Sequence, residues 1–215
     1  MNLPRPPSNP FATRWVRPGA IEYHFANGES VETLVARLAA AGWCGQIVGP
    51  HGAGKSTLLA ALKPALTAAG RGLLEFQLRD GQRHLPGGFR LLGQRVQCER
   101  QAPLVVVDGY EQLGRWDRFR LRRLCRGGCG LLATAHANAG LPAIAEVHPS
   151  LGAMQRVVRL LLAEYPSGTV TEAEVAQAFR SCGGNVREAL FALYDDYESR
   201  HREAGFQWGR FLICH

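Results

Sequence analysis

Apolar residues fall into two patterns along this chain. Some form short continuous runs of about four to six positions, and others recur every three or four positions over longer stretches. Ser30 is a ready N-cap for a helix over Val31–Ala41, with Leu34, Val35 and Leu38 on one face and Gly42 at its end. Gly45-Gln46-Ile47-Val48 reads as a short buried strand. Lys55–Ala69 follows as a helix carrying Leu58, Leu59, Leu62 and Leu66 at helical spacing, stopped by Gly70. Leu73–Leu78 is a second strand, a polar loop runs to Gly88, and Phe89–Arg100 is helical. Leu104-Val105-Val106-Val107 is apolar at every position, as strands buried on both faces of a parallel sheet are. Arg115–Arg126 is an Arg-rich helix, Leu131–Thr134 a fourth strand, and Pro142–Val147 a fifth. From about Ser150 only helical periodicity remains, over Leu151–Ala163, Glu172–Ser181 and Val186–Glu203, with Thr171 and Asn185 as N-caps.

Strand alternating with helix predicts an α/β fold, a parallel β-sheet covered by helices. The change at residue 150 divides the chain into an extended, Pro-rich N-terminal segment (1–20), a core (21–149) and a small C-terminal helical region (150–215). A length of 215 residues accommodates such a core, of roughly 150 residues, with a small appendage.

Composition narrows the function classes. No apolar run approaches the roughly 20 residues that span a bilayer, and the N-terminus lacks a signal-peptide stretch, so the expectation is a cytoplasmic protein without a membrane partner. The six cysteines form no disulfide framework, and Cys125-x3-Cys129 has no second Cys/His pair to complete a zinc site. The net charge is +7, and it is concentrated: residues 45–150 carry 14 Lys/Arg against seven acids. That region should attract polyanions.

The central motif is Gly49-Pro50-His51-Gly52-Ala53-Gly54-Lys55-Ser56, followed by Thr57. It fits G-x-x-x-x-G-K-[ST] at every fixed position, between an apolar strand and a periodic helix. Glycines let backbone N–H groups turn inward around phosphates, and the helix N-terminus faces the anion with its positive end. Lys55 is the candidate for the β- and γ-phosphates, and Ser56 for magnesium. Asp108 ends the apolar run 104–107 at the sheet edge where ligands of parallel sheets gather, so it is the second magnesium candidate.

Gly109 stands directly after Asp108, and the next acid is Glu111, in Asp108-Gly109-Tyr110-Glu111. This resembles the D-G-x-[DE] form of the second Walker motif in the NACHT and related signal-transduction ATPases. The resemblance makes Glu111 the candidate for activating water; the alternative is a residue that merely starts the next helix. Leu131-Leu132-Ala133-Thr134-Ala135-His136 is similar to the sensor-1 strand of the AAA+ class, which offers Thr134 or His136 as the γ-phosphate reader. Gly183-Gly184-Asn185-Val186-Arg187-Glu188-Ala189-Leu190 is similar to the segment opening the sensor-2 helix of AAA+ lids, which assigns Arg187 to the phosphates. Over residues 20–200 the chain thus resembles a minimal P-loop NTPase of the AAA+/signal-transduction group. That resemblance implies strand order 5-1-4-3-2, a C-terminal lid, ATP as the nucleotide and Mg2+ as its metal.

The expected function is a MgATP-binding ATPase that couples nucleotide state to a conformational change. Alternatives are a nucleotide switch or scaffold with little turnover, and a small-molecule kinase. A protein partner or a homo-oligomer is expected beside ATP. Two further features stand open. Trp15 and Val16 occupy the place where AAA+ proteins pack a segment against adenine; the alternative is that they pack on the domain itself. Arg115, Arg118, Arg122 and Arg126 recur at helical spacing, as a solvated face, a nucleic-acid contact or an arginine finger. No aromatic-rich reading surface is evident beside them.

Overall fold

The computed structural model describes residues 9–12, 15, 19–25, 28–126 and 128–211, with the side chains of Arg126 and of 203–211 outside that description. The chain divides into two compact units, one formed by Glu22–His148 and the other by Pro149–His215 with the N-terminal stretch.

In the first unit five strands, β1 (Cys44–Val48), β2 (Arg71–Gln77), β3 (Ala102–Asp108), β4 (Gly130–Ala135) and β5 (Ala143–Glu146), form one sheet. All neighbours pair in parallel and the order is β2-β3-β4-β1-β5, the expected 5-1-4-3-2 read from the other edge. Four helices cover it: α1 (Val31–Ala40), α2 (Lys55–Ala68), α3 (Gly88–Cys98) and α4 (Arg115–Arg126). The apolar run in β3 is divided between both faces, because successive strand side chains point to opposite sides. Leu104 and Val106 pack with α1 and α2, through Leu34, Leu38, Leu58 and Leu62. Val105 and Val107 pack on the other side with Leu92 of α3 and Leu121 of α4. Both faces are therefore dry, which accounts for the unbroken apolar sequence.

Local chemistry sets the ends of these elements. The Ser30 side chain accepts from Thr33 N, and Thr33 caps back onto the Ser30 N–H, so α1 starts on a capping box. Strand β1 runs one residue earlier than its apolar pattern, and β3 runs two residues earlier, from Ala102, because parallel pairing with β2 includes Ala102 and Pro103.

The second unit contains α5 (Leu151–Leu161), α6 (Glu172–Ser181) and α7 (Val186–Phe211). Helix α5 stops two residues short of the predicted Ala163, and α7 runs beyond the predicted Glu203. Thr171 caps α6, and the Asn185 side chain accepts from Arg187 N and Glu188 N to start α7. The unit's core joins Met154, Val158, Val175, Leu190, Leu193 and Tyr197 with Phe11, which is only 1% exposed. The N-terminal stretch is therefore not all extended, since its turn at residues 9–12 is part of this core. Asn9 fixes that turn by donating from Nδ2 to Tyr194 O (3.0 Å) and Glu198 Oε1 (2.9 Å), while its Oδ1 accepts from Phe11 N (3.0 Å). Among the described residues no helix is long and apolar enough to cross a membrane.

Candidate functional site

The phosphate-loop motif leaves the C-terminal end of β1 and enters α2. Gly54 precedes the helix in the left-handed region at φ 99°, and Gly52 is also left-handed at φ 69°. Gly49 is required for a different reason: a Cβ there would lie 2.3 Å from the backbone oxygen of Val147. Pro50 and the exposed His51 form the start of the turn, and Ala53, Ser56 and Thr57 are half-buried.

Because β1 lies beside β4, and β4 beside β3, three strand ends converge at this loop. The side chains at those ends are joined by short contacts. Lys55, 8% exposed, donates from Nζ to Gly49 O (2.7 Å) and Pro50 O (2.8 Å), and lies 3.2 Å from His136 Nδ1. His136 Nε2 lies 2.6 Å from Glu111 Oε1. A neutral imidazole protonated at Nε2 satisfies both contacts, donating to Glu111 and accepting from Lys55. The His51 ring stacks on that of His136 at 3.4 Å between centroids, tilted by 32°. The Thr134 hydroxyl donates to Asp108 Oδ1 (2.6 Å) and accepts from Gly109 N (2.9 Å). Thr134 is 1% exposed. Its place is thus beneath Asp108, which it orients, and among the two candidates for phosphate reading only His136 is partly open to solvent.

The electrostatics follow from this crowding. Burial holds the Lys55 ammonium below its ordinary value, opposed by the carboxylates of Glu111 and Asp108. Burial likewise depresses the His136 imidazole; Glu111 opposes it, and Lys55 and His51 add to it. Glu111 Oε2 is buried with no hydrogen-bond partner among the described residues, an acceptor left over.

These features fit a magnesium nucleotide. The loop carbonyls that occupy Lys55 stand where a stronger acceptor would compete for its protons. The hydroxyl of Ser56 and the carboxylate of Asp108 are the hard oxygen donors that Mg2+ selects. Among the described residues no group of three or more His, Cys, Asp or Glu side chains forms a self-contained metal site.

The structure thus brings together His51, Lys55, Asp108, Glu111, Thr134 and His136. Arg187 belongs to the second unit, exposed in the first turn of α7 with its guanidinium 5.7 Å from the Phe191 ring. Val16 lies outside the described residues, and Trp15 is exposed. Two residues at the site were not foreseen. Tyr23 comes within 3.8 Å of where a Gly54 Cβ would stand, and burial raises its phenol above the ordinary value. Gln46, fully buried in β1, donates from Nε2 to Asn138 Oδ1 (2.8 Å) and Leu141 O (2.6 Å) and accepts from Ala139 N (2.9 Å). It fixes the loop that follows His136. The signal was available: a polar amide inside an apolar strand implies a buried hydrogen-bonding task.

No protein-family model matches the chain, and no curated protein matches its sequence. Among solved structures it is similar to Hsp104 of Saccharomyces cerevisiae in an extended complex with casein, at 14% identity and a TM-score of 0.58, over 87% of this chain and 40% of that one. It is also similar to the Walker-type ATPase paby2304 of Pyrococcus abyssi, at 14% identity and a TM-score of 0.52, over 95% of this chain and 79% of that one. The chain therefore spans less than half the length of Hsp104. At these identities the likeness is one of fold alone, that of a P-loop ATPase core built on a five-stranded parallel sheet.

Proposed function

We propose that this chain binds MgATP in the loop Gly49–Thr57 and hydrolyses it, using the energy to change conformation. The observation that carries the reading is the convergence of Lys55, Asp108, Glu111 and Thr134 at adjacent ends of parallel strands beside a phosphate-binding loop. Lys55 would exchange its bonds to the loop carbonyls for the β- and γ-phosphates, while backbone N–H groups of the loop and the first turn of α2 hold the same anion. Ser56 and Asp108 would hold Mg2+, which supplies positive charge to offset that of the phosphates. Thr134 keeps Asp108 in place. Glu111 would orient a water and take its proton, with attack in line on the γ-phosphorus and ADP as the leaving group. His136 would read the γ-phosphate, and Arg187 would approach it from residues 150–215 acting as a lid.

A second reading, a switch with little intrinsic turnover, is favoured by one contact. Glu111 is paired to His136 at 2.6 Å, which withholds one carboxylate oxygen from water. A protein partner or a second copy of the chain would then be needed to release it. ATP titration combined with phosphate release, in wild type and Glu111→Gln, tests both. Turnover abolished in the variant with binding retained supports the ATPase. Tight binding with no turnover in either supports the switch.

A further inference from the structure

The outer face of α4 divides the arginines of this helix into two groups with different tasks. Arg118 and Arg122 are half-buried, at the margin between the exposed and the buried side of the helix. Arg118 donates from Nε to Leu113 O (2.7 Å) and from Nη2 to Glu111 O (3.0 Å). Arg122 donates to the Tyr110 hydroxyl (3.3 Å) and to Ala139 O. Of the stripe expected from Arg115, Arg118, Arg122 and Arg126, Arg115 is exposed and Arg118 and Arg122 are not, while the side chain of Arg126 lies outside the described residues. Among the described side chains of the helix the exposed ones are Arg115, Trp116, Phe119, Arg120 and Arg123, within an arc of roughly 140° at 100° per residue. Trp116 is 80% exposed and Phe119 57% exposed, with ring centroids 6.5 Å apart at 90°. An aromatic surface therefore does accompany the arginines, contrary to the expectation from sequence. The single acid of the helix, Asp117, is buried and paired with His84, so the helix itself places no carboxylate on this face.

The geometry points to single-stranded nucleic acid as the ligand of this surface. Interleaved arginines and open aromatic rings match its two repeating features, a phosphate chain and unpaired base faces. A cleft of about 220 Å³ lined by Arg115, Arg118, Phe119 and Arg122 adjoins the face. Arg118 and Arg122 each use two of their five N–H donors in the bonds above, leaving others for a phosphate in that cleft. A duplex presents no open base face for Trp116 or Phe119 to stack on. A membrane surface calls for a broad apolar helix face, whereas here two rings stand among three arginines and the helix's apolar side is sealed against the sheet through Leu121 and Cys125. This assignment does not depend on nucleotide hydrolysis.

The test is fluorescence anisotropy of a labelled oligo-dT of about 20 nucleotides with the full chain, without ATP, over a salt series. Saturable binding is expected, with a preference over a duplex of equal length. Trp116→Ala/Phe119→Ala should weaken it by at least about tenfold. Arg115→Glu/Arg123→Glu should flatten the slope of log affinity against log salt by about 1.4, at about 0.7 per lost phosphate contact. Lys55→Ala should bind the oligonucleotide like wild type, which separates this inference from the ATPase reading. Failure of the folded wild type to bind, a preference for duplex, or indifference to the aromatic double variant would each overturn it. So would binding to vesicles containing phosphatidylserine without binding to the oligonucleotide.

Discussion

Thr134 and His136 stand two positions apart at the end of one strand, yet their environments give them separate tasks. Thr134→Val preserves the shape of the side chain but leaves the Gly109 N–H without its acceptor and Asp108 without a donor. The expected cost is about 1–3 kcal/mol, read from urea unfolding, with weaker magnesium-dependent nucleotide affinity. His136 titrates against Glu111, Lys55 and His51. Its folded value is depressed below the ordinary 6.5, so in the window between the two the unfolded chain binds the extra proton. Stability therefore rises with pH through that window and is lost as pH falls through it. The urea midpoint should be lower at about pH 5.5 than at about pH 7.5, by a difference that shrinks in His136→Asn. A variant with the full wild-type difference would contradict the assignment. That the loop and Asp108 meet at one sheet edge was legible, because each ends an apolar strand of a parallel sheet. The bond from Thr134 to Asp108 and the stacking of His51 on His136 were not, because they depend on which strands become neighbours.

Elements carry the site as much as side chains do. Glu111 sits on a short 3-10 turn, Tyr110–Gln112, and Arg118 fastens its carbonyl, with that of Leu113 after the turn, to α4. Arg118→Ala should destabilise the fold by about 1–2 kcal/mol. It should also slow single-turnover phosphate release while leaving ATP affinity near that of wild type, because the positioning of Glu111 is what it loses. Unchanged turnover would show that the turn holds without it. At β1 the constraint is steric: Gly49→Ala forces a Cβ against the Val147 carbonyl, and about 1–3 kcal/mol of destabilisation is expected in thermal or urea unfolding. Periodicity, with caps and glycine stops, located the strands and helices to within a few residues, including the burial of β3 on both faces. It could not sort the arginines of α4, since spacing says which residues share a side of a helix but not which side meets the sheet.

For the molecule as a whole, the distribution of charge and core is uneven. Residues 151–215 carry seven Arg against eight acids, so the excess positive charge lies with the sheet unit. The helical unit depends on a residue distant in sequence: Phe11 fills its core, and Phe11→Ala should cost about 3–5 kcal/mol in the unfolding of that unit. An unaltered transition would contradict that packing. Sequence pattern identified a Pro-rich start and a helical end as separate segments, and it had no means of joining them, because a lone Phe has no periodicity to read. The strand order followed from resemblance and is the one the sheet adopts. The central claim, that the loop 49–57 is a MgATP site, is tested most directly by calorimetric titration of ATP with and without magnesium into wild type and folded Lys55→Ala. Saturable, magnesium-dependent binding that is lost in the variant is the predicted result. Absence of binding to wild type, or equal affinity in the variant, would contradict it.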